Sequence, residues 1–341
     1  MVVGGLGFCW ARRCGGVVGF GGELVRLVDI HAVYRVRRGF FRAGEVRAVD
    51  GVSLTVREGE AVGLIGESGC GKTTLGKLSL RLIKPSRGRI YYDGVDVTEL
   101  PEKRLRVLRR ETRMVFQDPY SSINPYMTIG ETVGEPLIAH GVGDSSVRRE
   151  MVYKALEEVR LTPPEEFAAK YPHMLSGGQR QRAAIARAIV LKPRYIVADE
   201  PVSMVDASSR AEILQVLKNL QTAHGIAFLY ISHDLATSRY FSDRIAVMYL
   251  GRIIETGPVD DVLHDPLHPY TQGLVNSVPE PEPSNRFVER PAIAGEPPSP
   301  ANIPPGCRFN PRCPKAFAKC YTEDPELRPI APNRHVACHL Y

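Results

Sequence analysis

A glycine-rich stretch that ends in lysine and threonine stands between an apolar run and a helix-like run. It reads Gly-Glu-Ser-Gly-Cys-Gly-Lys-Thr-Thr and follows the apolar residues 61–65. In such a loop the glycines let backbone N–H groups converge on phosphate, Lys72 reaches the outer phosphates, and Thr73 ligates Mg²⁺. Because kinases and GTPases share it, the loop alone predicts only a nucleoside-triphosphate binder. The predicted binding residues are Gly66, Glu67, Ser68, Gly69, Cys70, Gly71, Lys72, Thr73 and Thr74.

A second apolar run, 195–198, ends in the acidic pair Asp199 and Glu200. A carboxylate at the end of a buried strand can hold Mg²⁺ through water, and the neighbouring carboxylate can act as general base on the attacking water. A strand that ends in solvated acids is common, so the pair gains its meaning from the phosphate-binding loop upstream.

A third motif precedes the helix-like run 183–191 and consists of Ser176, Gly177, Gly178 and Gln179. Backbone amides at the start of a helix carry a partial positive charge, and here they can be offered to a γ-phosphate. A capped helix that starts after a flexible turn fits the same residues.

Strand-like and helix-like runs alternate along the chain, which indicates a parallel α/β core. Between the strand 113–117 and residue 190 no strand pattern occurs, and this stretch suits a helical subdomain. The other predicted strands are 24–30, 52–56, 61–65, 195–199, 226–232 and 245–250, and the clearest helix patterns are 73–83, 101–110, 183–191 and 208–221.

Composition limits the class of protein. The chain has 341 residues, of which 43% are hydrophobic and 24% charged, and this places it among globular proteins. No run approaches the roughly 20 apolar residues that cross a bilayer. The net charge is +6, but the basic residues are dispersed among acidic ones and form no stripe interleaved with aromatic residues, so nucleic-acid binding is not favoured. Residues 1–22 are interpreted as a disordered or misannotated leader.

With its Arg-Gln-Arg continuation, the run Leu175–Gln179 resembles the signature motif of ABC-transporter ATPases. The resemblance implies the α/β fold of a P-loop NTPase cassette, with a RecA-like parallel-sheet core, an antiparallel β subdomain and a helical subdomain. It also implies that two cassettes pair head to tail and enclose two ATP molecules, so that each signature motif serves the nucleotide of the opposite subunit.

Four single residues match positions of this family's pattern. Gln117 resembles the glutamine that touches Mg²⁺ and the attacking water, and His233 resembles the histidine that contacts the γ-phosphate and orients that water. Asp206 resembles the loop residue that communicates across the dimer, and Tyr34 the ring that stacks on adenine. Each also has a plain interpretation, as a solvated Gln, a capping His, a turn Asp and a strand-face Tyr.

The resemblance narrows to the oligopeptide and dipeptide permease branch, and more closely to the second ATPase of a heterodimeric pair. The runs that carry it are Gln117–Pro125, His268–Thr271 and Gly306–Pro314. The sequence departs from the pattern at Met204-Val205, where Ala-Leu is usual, and at Tyr126, where Arg is common. The first departure puts communication across the dimer in doubt, whereas the second affects no catalytic position.

Four cysteines stand near the C-terminus, with five, six and seventeen residues between successive members. Four thiolates suit tetrahedral Zn²⁺ or a four-iron cluster, although neither zinc-ribbon nor ferredoxin spacing is present. Some members of the branch carry an iron–sulfur cluster here, so the resemblance implies a 4Fe–4S site. A reduced or disulfide-linked tail is the plain alternative, and His335 and His339 keep zinc as a rival. The cysteines are Cys307, Cys313, Cys320 and Cys338.

The sequence thus predicts four segments. These are the leader 1–22, an ABC ATPase domain at 23–278 with its helical subdomain at about 118–190, a linker at 279–305 in which nine of 27 residues are proline, and a cysteine-rich region at 306–341.

The predicted function is ATP hydrolysis that energises import of peptides or a related small solute through a membrane permease. The expected partners are two transmembrane permease subunits, a second ATPase and an extracellular or periplasmic solute-binding protein, with the chain at the cytoplasmic face of the membrane. A soluble ABC ATPase that acts on nucleic acid or ribosomes is the alternative.

Overall fold

The computed structural model describes residues 22–38, 42–277, 293 and 295–341. The predicted leader lies outside these residues except for Gly22, and the predicted linker lies outside them at 279–292 and 294. Within the described residues, two sheets and a group of helices account for the regular structure.

The strands of the described residues form a four-stranded antiparallel sheet and an eight-stranded mixed sheet. In chain order they are β1 (Glu23–Arg38), β2 (Arg42–Arg57), β3 (Ala61–Ile65), β4 (Arg87–Tyr92), β5 (Val95–Asp96), β6 (Thr112–Val115), β7 (Tyr195–Asp199), β8 (Ala227–Ser232), β9 (Arg244–Tyr249), β10 (Arg252–Pro258), β11 (Arg328–Ala331) and β12 (Arg334–Val336). The smaller sheet has the order β2-β1-β4-β5, and the larger has the order β11-β12-β10-β9-β3-β8-β7-β6.

The centre of the larger sheet is parallel, since β9, β3, β8, β7 and β6 pair in parallel with their neighbours. Every residue of β3, β7 and β8 is buried, which explains why these strands are apolar runs and not alternating patterns. The carboxyl ends of parallel strands lie at one edge of the sheet, and loops at that edge are where ligands bind in open α/β folds.

Helices occupy both the gaps between strands and the stretch predicted to be helical. They are α1 (Lys72–Ser79), α2 (Glu102–Glu111), α3 (Pro119–Ser122), α4 (Ile129–Ala139), α5 (Ser145–Glu158), α6 (Pro164–Ala169), α7 (Gly177–Ile189), α8 (Ala207–His224), α9 (Leu235–Phe241), α10 (Val259–His264) and α11 (Pro269–Asn276). Between β6 and β7 all regular structure is helical. The α/β architecture and the helical stretch agree with the sequence prediction.

Two buried clusters connect these layers. Leu75 and Leu78 of α1 share one cluster with Ile30 of β1 and Leu229 of β8, so α1 packs between the two sheets. The helices α4, α5 and α7 share the other cluster with the sheet residues Ile196 and Phe228. Burial of apolar surface on both sides of the parallel strands therefore fixes the phosphate-binding loop at the start of α1.

The C-terminal region, predicted as a small cysteine-rich extension of the cassette, is joined to the larger sheet. Its strand β12 pairs antiparallel with β10, so that residues 328–336 extend the edge of the larger sheet. Phe309 is buried in a cluster with Tyr249 of β9 and Tyr270 of α11. The C-terminal region thus shares a core with the rest of the chain.

Candidate functional site

The phosphate-binding loop has the geometry that its glycines predict. It joins β3 to α1, and Gly71, directly before the first turn of α1, has a φ of 105°. A Cβ at Gly71 would lie 2.0 Å from the carbonyl oxygen of Ala48 in β2, so only glycine fits there. The smaller sheet therefore presses against the loop and holds the start of α1 in place.

Lys72 is buried and turned back over this loop. Its Nζ donates hydrogen bonds to the carbonyl oxygens of Gly66 and Glu67, at 2.6 and 2.8 Å. The Sγ of Cys70 lies 3.8 Å from the same ammonium group, and burial raises the pKa of the Cys70 thiol. The ammonium group of Lys72 therefore lies at the N-terminus of α1, where its charge adds to the partial positive charge of the helix amides and attracts phosphate.

Asp199 and Thr73 meet beside the loop. The Thr73 hydroxyl donates to Oδ1 of Asp199 at 3.0 Å, and Asp199 is 4% exposed at the end of β7. Burial and the neighbouring Glu200 raise the pKa of Asp199, although the Thr73 hydrogen bond opposes them. Two adjacent carboxylates and a hydroxyl, all oxygen donors, are the set that a hard divalent cation requires, so Mg²⁺ fits these residues.

Glu200 is the residue on which the other predicted catalytic side chains converge. Gln117 Nε2 donates to its Oε2 at 2.8 Å, and His233 Nδ1 lies 3.2 Å from its Oε1. The Glu200 side chain is 18% exposed, and its backbone has a φ of 46°, a left-handed conformation held by a hydrogen bond from its N–H to the Ile231 carbonyl oxygen. Non-glycine residues adopt this conformation rarely, and it is found at functional sites.

These side chains form what we call the phosphate-loop group. Three parallel strands bring the group together, because β6, β7 and β8 end near Gln117, Asp199 and His233. Sequence analysis predicted these roles from local motifs and, for Gln117 and His233, from the family resemblance. The structure brings Thr73 to Asp199, and Gln117 and His233 to Glu200, whereas Lys72 contacts the loop itself. The individual catalytic roles stay predictions. The members of the phosphate-loop group are Lys72, Thr73, Gln117, Asp199, Glu200 and His233.

A signature group, consisting of Ser176, Gly177, Gly178, Gln179 and Asp206, stands apart and is held by different contacts. Ser176 and Gln179 form a reciprocal cap at the start of α7, in which each side chain accepts a hydrogen bond from the backbone N–H of the other. Asp206 caps α8 by accepting from the Ser209 amide at 2.9 Å. A Cβ at Gly178 would lie 2.5 Å from the Ser209 hydroxyl, so the starts of the two helices pack closely.

Tyr34 lies in β1 opposite Val46 of β2, and its side chain is 45% exposed. Ala48, two residues beyond Val46 along β2, is the residue that presses on Gly71 of the loop. Tyr34 is therefore on the sheet that borders the loop, in a position from which an exposed ring can stack on a base.

Sequence analysis missed the contacts that the C-terminal region makes with the phosphate-binding loop. Arg312 forms two hydrogen bonds with the carboxylate of Glu67, at 2.8 and 3.0 Å, and Tyr270 accepts a hydrogen bond from the Glu67 N–H at 2.9 Å. Arg308, four residues earlier, binds Asp50 of β2. Both arginines lie within the predicted cysteine-rich region, but no local sequence pattern indicates that their partners are more than 200 residues away.

The prediction of an iron–sulfur or zinc site at the C-terminal cysteines is wrong. No group of three or more His, Cys, Asp or Glu side chains able to hold a metal ion exists among the described residues, which include all four cysteines, His335 and His339. Cys307, Cys313, Cys320 and Cys338 are free thiols. Burial raises the pKa of Cys307 to about 11 and also raises that of Cys313 and Cys338, so these side chains are protonated thiols at neutral pH.

None of the helices in the described part of the chain is long and apolar enough to cross a membrane.

Comparison with protein families gives two matches along the chain. Residues 49–203 match the model described as "ABC transporter", and residues 254–320 match "Oligopeptide/dipeptide transporter, C-terminal region". The first match contains the phosphate-binding loop, the signature motif and the Asp199–Glu200 pair, and the second contains Tyr270 and Arg312.

Curated relatives match over most of the chain. The oligopeptide transport ATP-binding protein AppF of Bacillus subtilis is 44% identical over 93% of this chain and 97% of its own length. A probable peptide ABC transporter ATP-binding protein, y4tS of Sinorhizobium fredii, is 46% identical over 93% of this chain and 90% of its own length.

A solved structure also resembles the fold of this chain. The ATP-binding cassette MJ0796, in a dimeric post-hydrolysis state with ADP and Pi, has a TM-score of 0.62 and 31% identity, and the match covers 69% of this chain and 99% of that one.

Proposed function

Since the chain belongs to the ABC transporter family, among the oligopeptide and dipeptide transport ATP-binding proteins, we propose that it hydrolyses ATP to drive import of peptides or a related small solute. The chain is an ATPase of this family. Its relatives are named for peptide transport, and the family match at residues 254–320 is to the transporter-specific C-terminal region.

The observation that carries this proposal is the convergence of the phosphate-loop group. A buried lysine, a threonine and an aspartate surround a helix N-terminus, and a glutamate with two polar neighbours stands beside them. Phosphoryl transfer to water needs this division, because one set of groups must hold the phosphates and another must direct the water.

We assign the chemistry to these side chains as follows. Lys72 and the amides of the loop bind the β- and γ-phosphates. Thr73, Asp199 and Gln117 would hold Mg²⁺, which when bound offsets the negative charge of the phosphates. Glu200 takes a proton from the attacking water, and His233 keeps that carboxylate and the water in line with the γ-phosphorus. Positioning and charge stabilisation account for most of the catalysis.

The signature group supports pairing of two cassettes. The amides of Gly177 and Gly178 lie in the first turn of α7, where a helix has no internal acceptor for them, and Ser176 is exposed beside them. We propose that this surface contacts the γ-phosphate bound by a second cassette, either another copy of this chain or a related ATPase, and that Asp206 lies at the interface. Tyr34 is proposed to stack on the adenine of its own chain's nucleotide.

The remaining partners follow from an import function. We propose that the cassettes dock on two transmembrane permease subunits at the cytoplasmic face of the membrane, and that a solute-binding protein delivers the cargo. We propose that the ATPase domain comprises residues 23–278 and that its helical subdomain lies at about 118–190. Action on nucleic acid or ribosomes is not favoured, because the matching relatives are named as transport proteins.

Replacement of Glu200 by Gln tests this function. The amide keeps the shape of the side chain but cannot accept the proton, so ATP should still bind while hydrolysis falls by about a hundredfold or more. Uptake of labelled peptide by cells that depend on this ATPase should stop as well. Glu157→Gln removes an exposed carboxylate of α5 and is the matched control, which should behave as the unmodified protein. Normal hydrolysis and uptake in Glu200→Gln would contradict the assignment.

A further inference from the structure

Glu67 is the residue of the phosphate-binding loop with the most contacts to the C-terminal region. Its carbonyl oxygen accepts a hydrogen bond from Lys72 at 2.8 Å, its N–H donates to Tyr270, and its carboxylate binds Arg312. Tyr270 and Arg312 both lie in residues 254–320, outside the part of the chain that matches the ABC transporter model. Two of the three polar groups of one loop residue are therefore held by the transporter-specific region.

The ion pair is shielded from water. The Arg312 side chain is 6% exposed and that of Glu67 is 26% exposed, and the two hydrogen bonds between them have the parallel, two-pronged geometry of a strong Arg–carboxylate pair. A charge pair removed from water is screened little, so loss of one member leaves the other charge strongly felt nearby.

Arg312 is fixed in place by its neighbours. It ends a short 3₁₀ turn, Asn310–Arg312, and Phe309 just before that turn packs against Tyr249 and Tyr270 with ring centroids 5.4 and 5.5 Å away. Arg308 binds the carboxylate of Asp50 and the carbonyl oxygen of Leu250. The segment 308–312 is thus held by contacts with β2, β9 and α11, and these contacts place Arg312 against Glu67.

The charges explain why such a contact matters for this site. The loop has to attract a highly negative triphosphate, yet Glu67 puts a carboxylate on the residue whose carbonyl oxygen holds Lys72. Without a compensating cation, that carboxylate would repel phosphate and compete for Lys72. The sequence predicted Glu67 as an ATP-binding residue of the loop but indicated no role for its carboxylate.

We propose that Arg312 acts on the nucleotide site through the charge of Glu67: by pairing with that carboxylate, it keeps the carboxylate from repelling the triphosphate and from competing for Lys72. The transporter-specific C-terminal region is then part of the ATP site and sets its affinity. This inference rests on the proposed binding of ATP at the loop.

The test is a double-mutant cycle that neutralises each charge on the purified full chain, with affinity for a fluorescent ATP analogue and Mg²⁺ as the readout. Arg312→Gln leaves Glu67 uncompensated and should weaken binding by about tenfold, which corresponds to an extra repulsion of about 1.4 kcal/mol. Glu67→Gln removes the repulsive charge together with the ion pair, so it should lose less than about threefold in affinity, well short of the loss in Arg312→Gln. The double variant should recover to within about threefold of the unmodified protein.

Two further measurements separate electrostatics from general damage. Arg312→Lys keeps the charge and should lose less affinity than Arg312→Gln. Because ADP carries less negative charge than ATP, Arg312→Gln should weaken ADP binding less, whereas a collapsed loop would weaken both equally.

The possible outcomes are distinct. If Arg312→Gln binds ATP normally, or if the double variant is as weak as Arg312→Gln, the inference is wrong. If Arg312→Gln does not fold, Glu67→Gln decides, because a tenfold loss in that variant would contradict a repulsive role for the carboxylate. Lys72→Ala monitors the proposed function separately: if it binds the analogue as well as the unmodified protein, the nucleotide is not held by the loop at all.

Discussion

The phosphate-loop group and the signature group both lie at a helix N-terminus and are both proposed to contact phosphate, but they are built differently. The phosphate-loop group stands at the ends of buried parallel strands, where Thr73 contacts Asp199, and Gln117 and His233 contact Glu200. The signature group stands at the starts of α7 and α8, where the side chains of Ser176 and Asp206 are exposed and accept hydrogen bonds from their own helices. The first region has buried members, such as Asp199, and is linked by side-chain contacts, whereas the second leaves polar side chains on the surface.

This difference explains why a single chain carries two phosphate-binding elements. A preorganised, buried group can bind and position a triphosphate by itself. An exposed group of amides adds charge stabilisation only when a second surface brings a nucleotide to it. The pairing of cassettes in the proposed function is therefore a consequence of where the two groups lie.

The largest expected effects come from one variant in each group, because the first should lose ATP binding and the second should lose only hydrolysis. Lys72→Ala should weaken ATP binding by about a hundredfold or more, because the buried cation of the loop is removed. Ser176→Arg should leave ATP binding by the isolated chain unchanged and reduce hydrolysis by about a hundredfold, because a bulky side chain blocks the approach of the second cassette. Titration with a fluorescent ATP analogue and a phosphate-release assay measure the two properties.

Exposed Ser145 provides a control for the second variant, since Ser145→Arg adds the same side chain at the start of α5, outside both groups. Loss of ATP binding in Ser176→Arg as severe as in Lys72→Ala would remove the distinction between the groups.

A smaller effect concerns acid. His268 is fully buried at the start of α11, where it accepts a hydrogen bond from the Tyr270 N–H, and burial lowers its pKa to about 3. The unfolded chain takes up a proton near pH 6.5 and the folded chain does not, so stability is complete above pH 6.5 and falls as the pH drops toward 3. About 2 kcal/mol should be lost between pH 7 and pH 5.

Urea unfolding at the two pH values measures this loss. His268→Gln should show a pH dependence smaller by that amount, and His224→Gln, which changes an exposed histidine, should match the unmodified protein. Equal slopes in His268→Gln and the unmodified protein would contradict a neutral buried His268. The result bears on the comparison of the two groups, because α11 carries Tyr270, which contacts the phosphate-binding loop. In the signature group, by contrast, hydrogen bonds from Ser208 and Ser209 hold the pKa of the Asp206 carboxyl below its usual range.

The elements that sequence analysis predicted well are those with local causes. The buried strands β3 and β7 appear as continuous apolar runs, and the loop and the acidic pair directly follow them. The convergence of Gln117, Glu200 and His233 could be expected because parallel strands end at one edge of the sheet. Strand lengths were less accurate, since β1 and β2 each have 16 residues where only short runs were predicted. Charged residues interrupt the apolar pattern of both strands, so their full length is hard to recognise in the sequence.

The C-terminal region shows where sequence analysis fails. Pairing of β12 with β10 and the contact of Arg312 with Glu67 join residues distant in sequence, and no local periodicity encodes them. The cysteines were misread because residue type and spacing do not reveal whether a sulfur is a buried thiol or a thiolate ligand.

The central claim is that one triphosphate is shared between the phosphate-loop group of one cassette and the signature group of another. The most direct measurement is a structure of the Glu200→Gln protein with ATP and Mg²⁺, assembled with its permease. The account predicts Lys72 and Asp199 at the β- and γ-phosphates, and a signature loop from the second cassette facing the γ-phosphate. A nucleotide bound away from Lys72 and Asp199, or one faced by no second cassette, would contradict it.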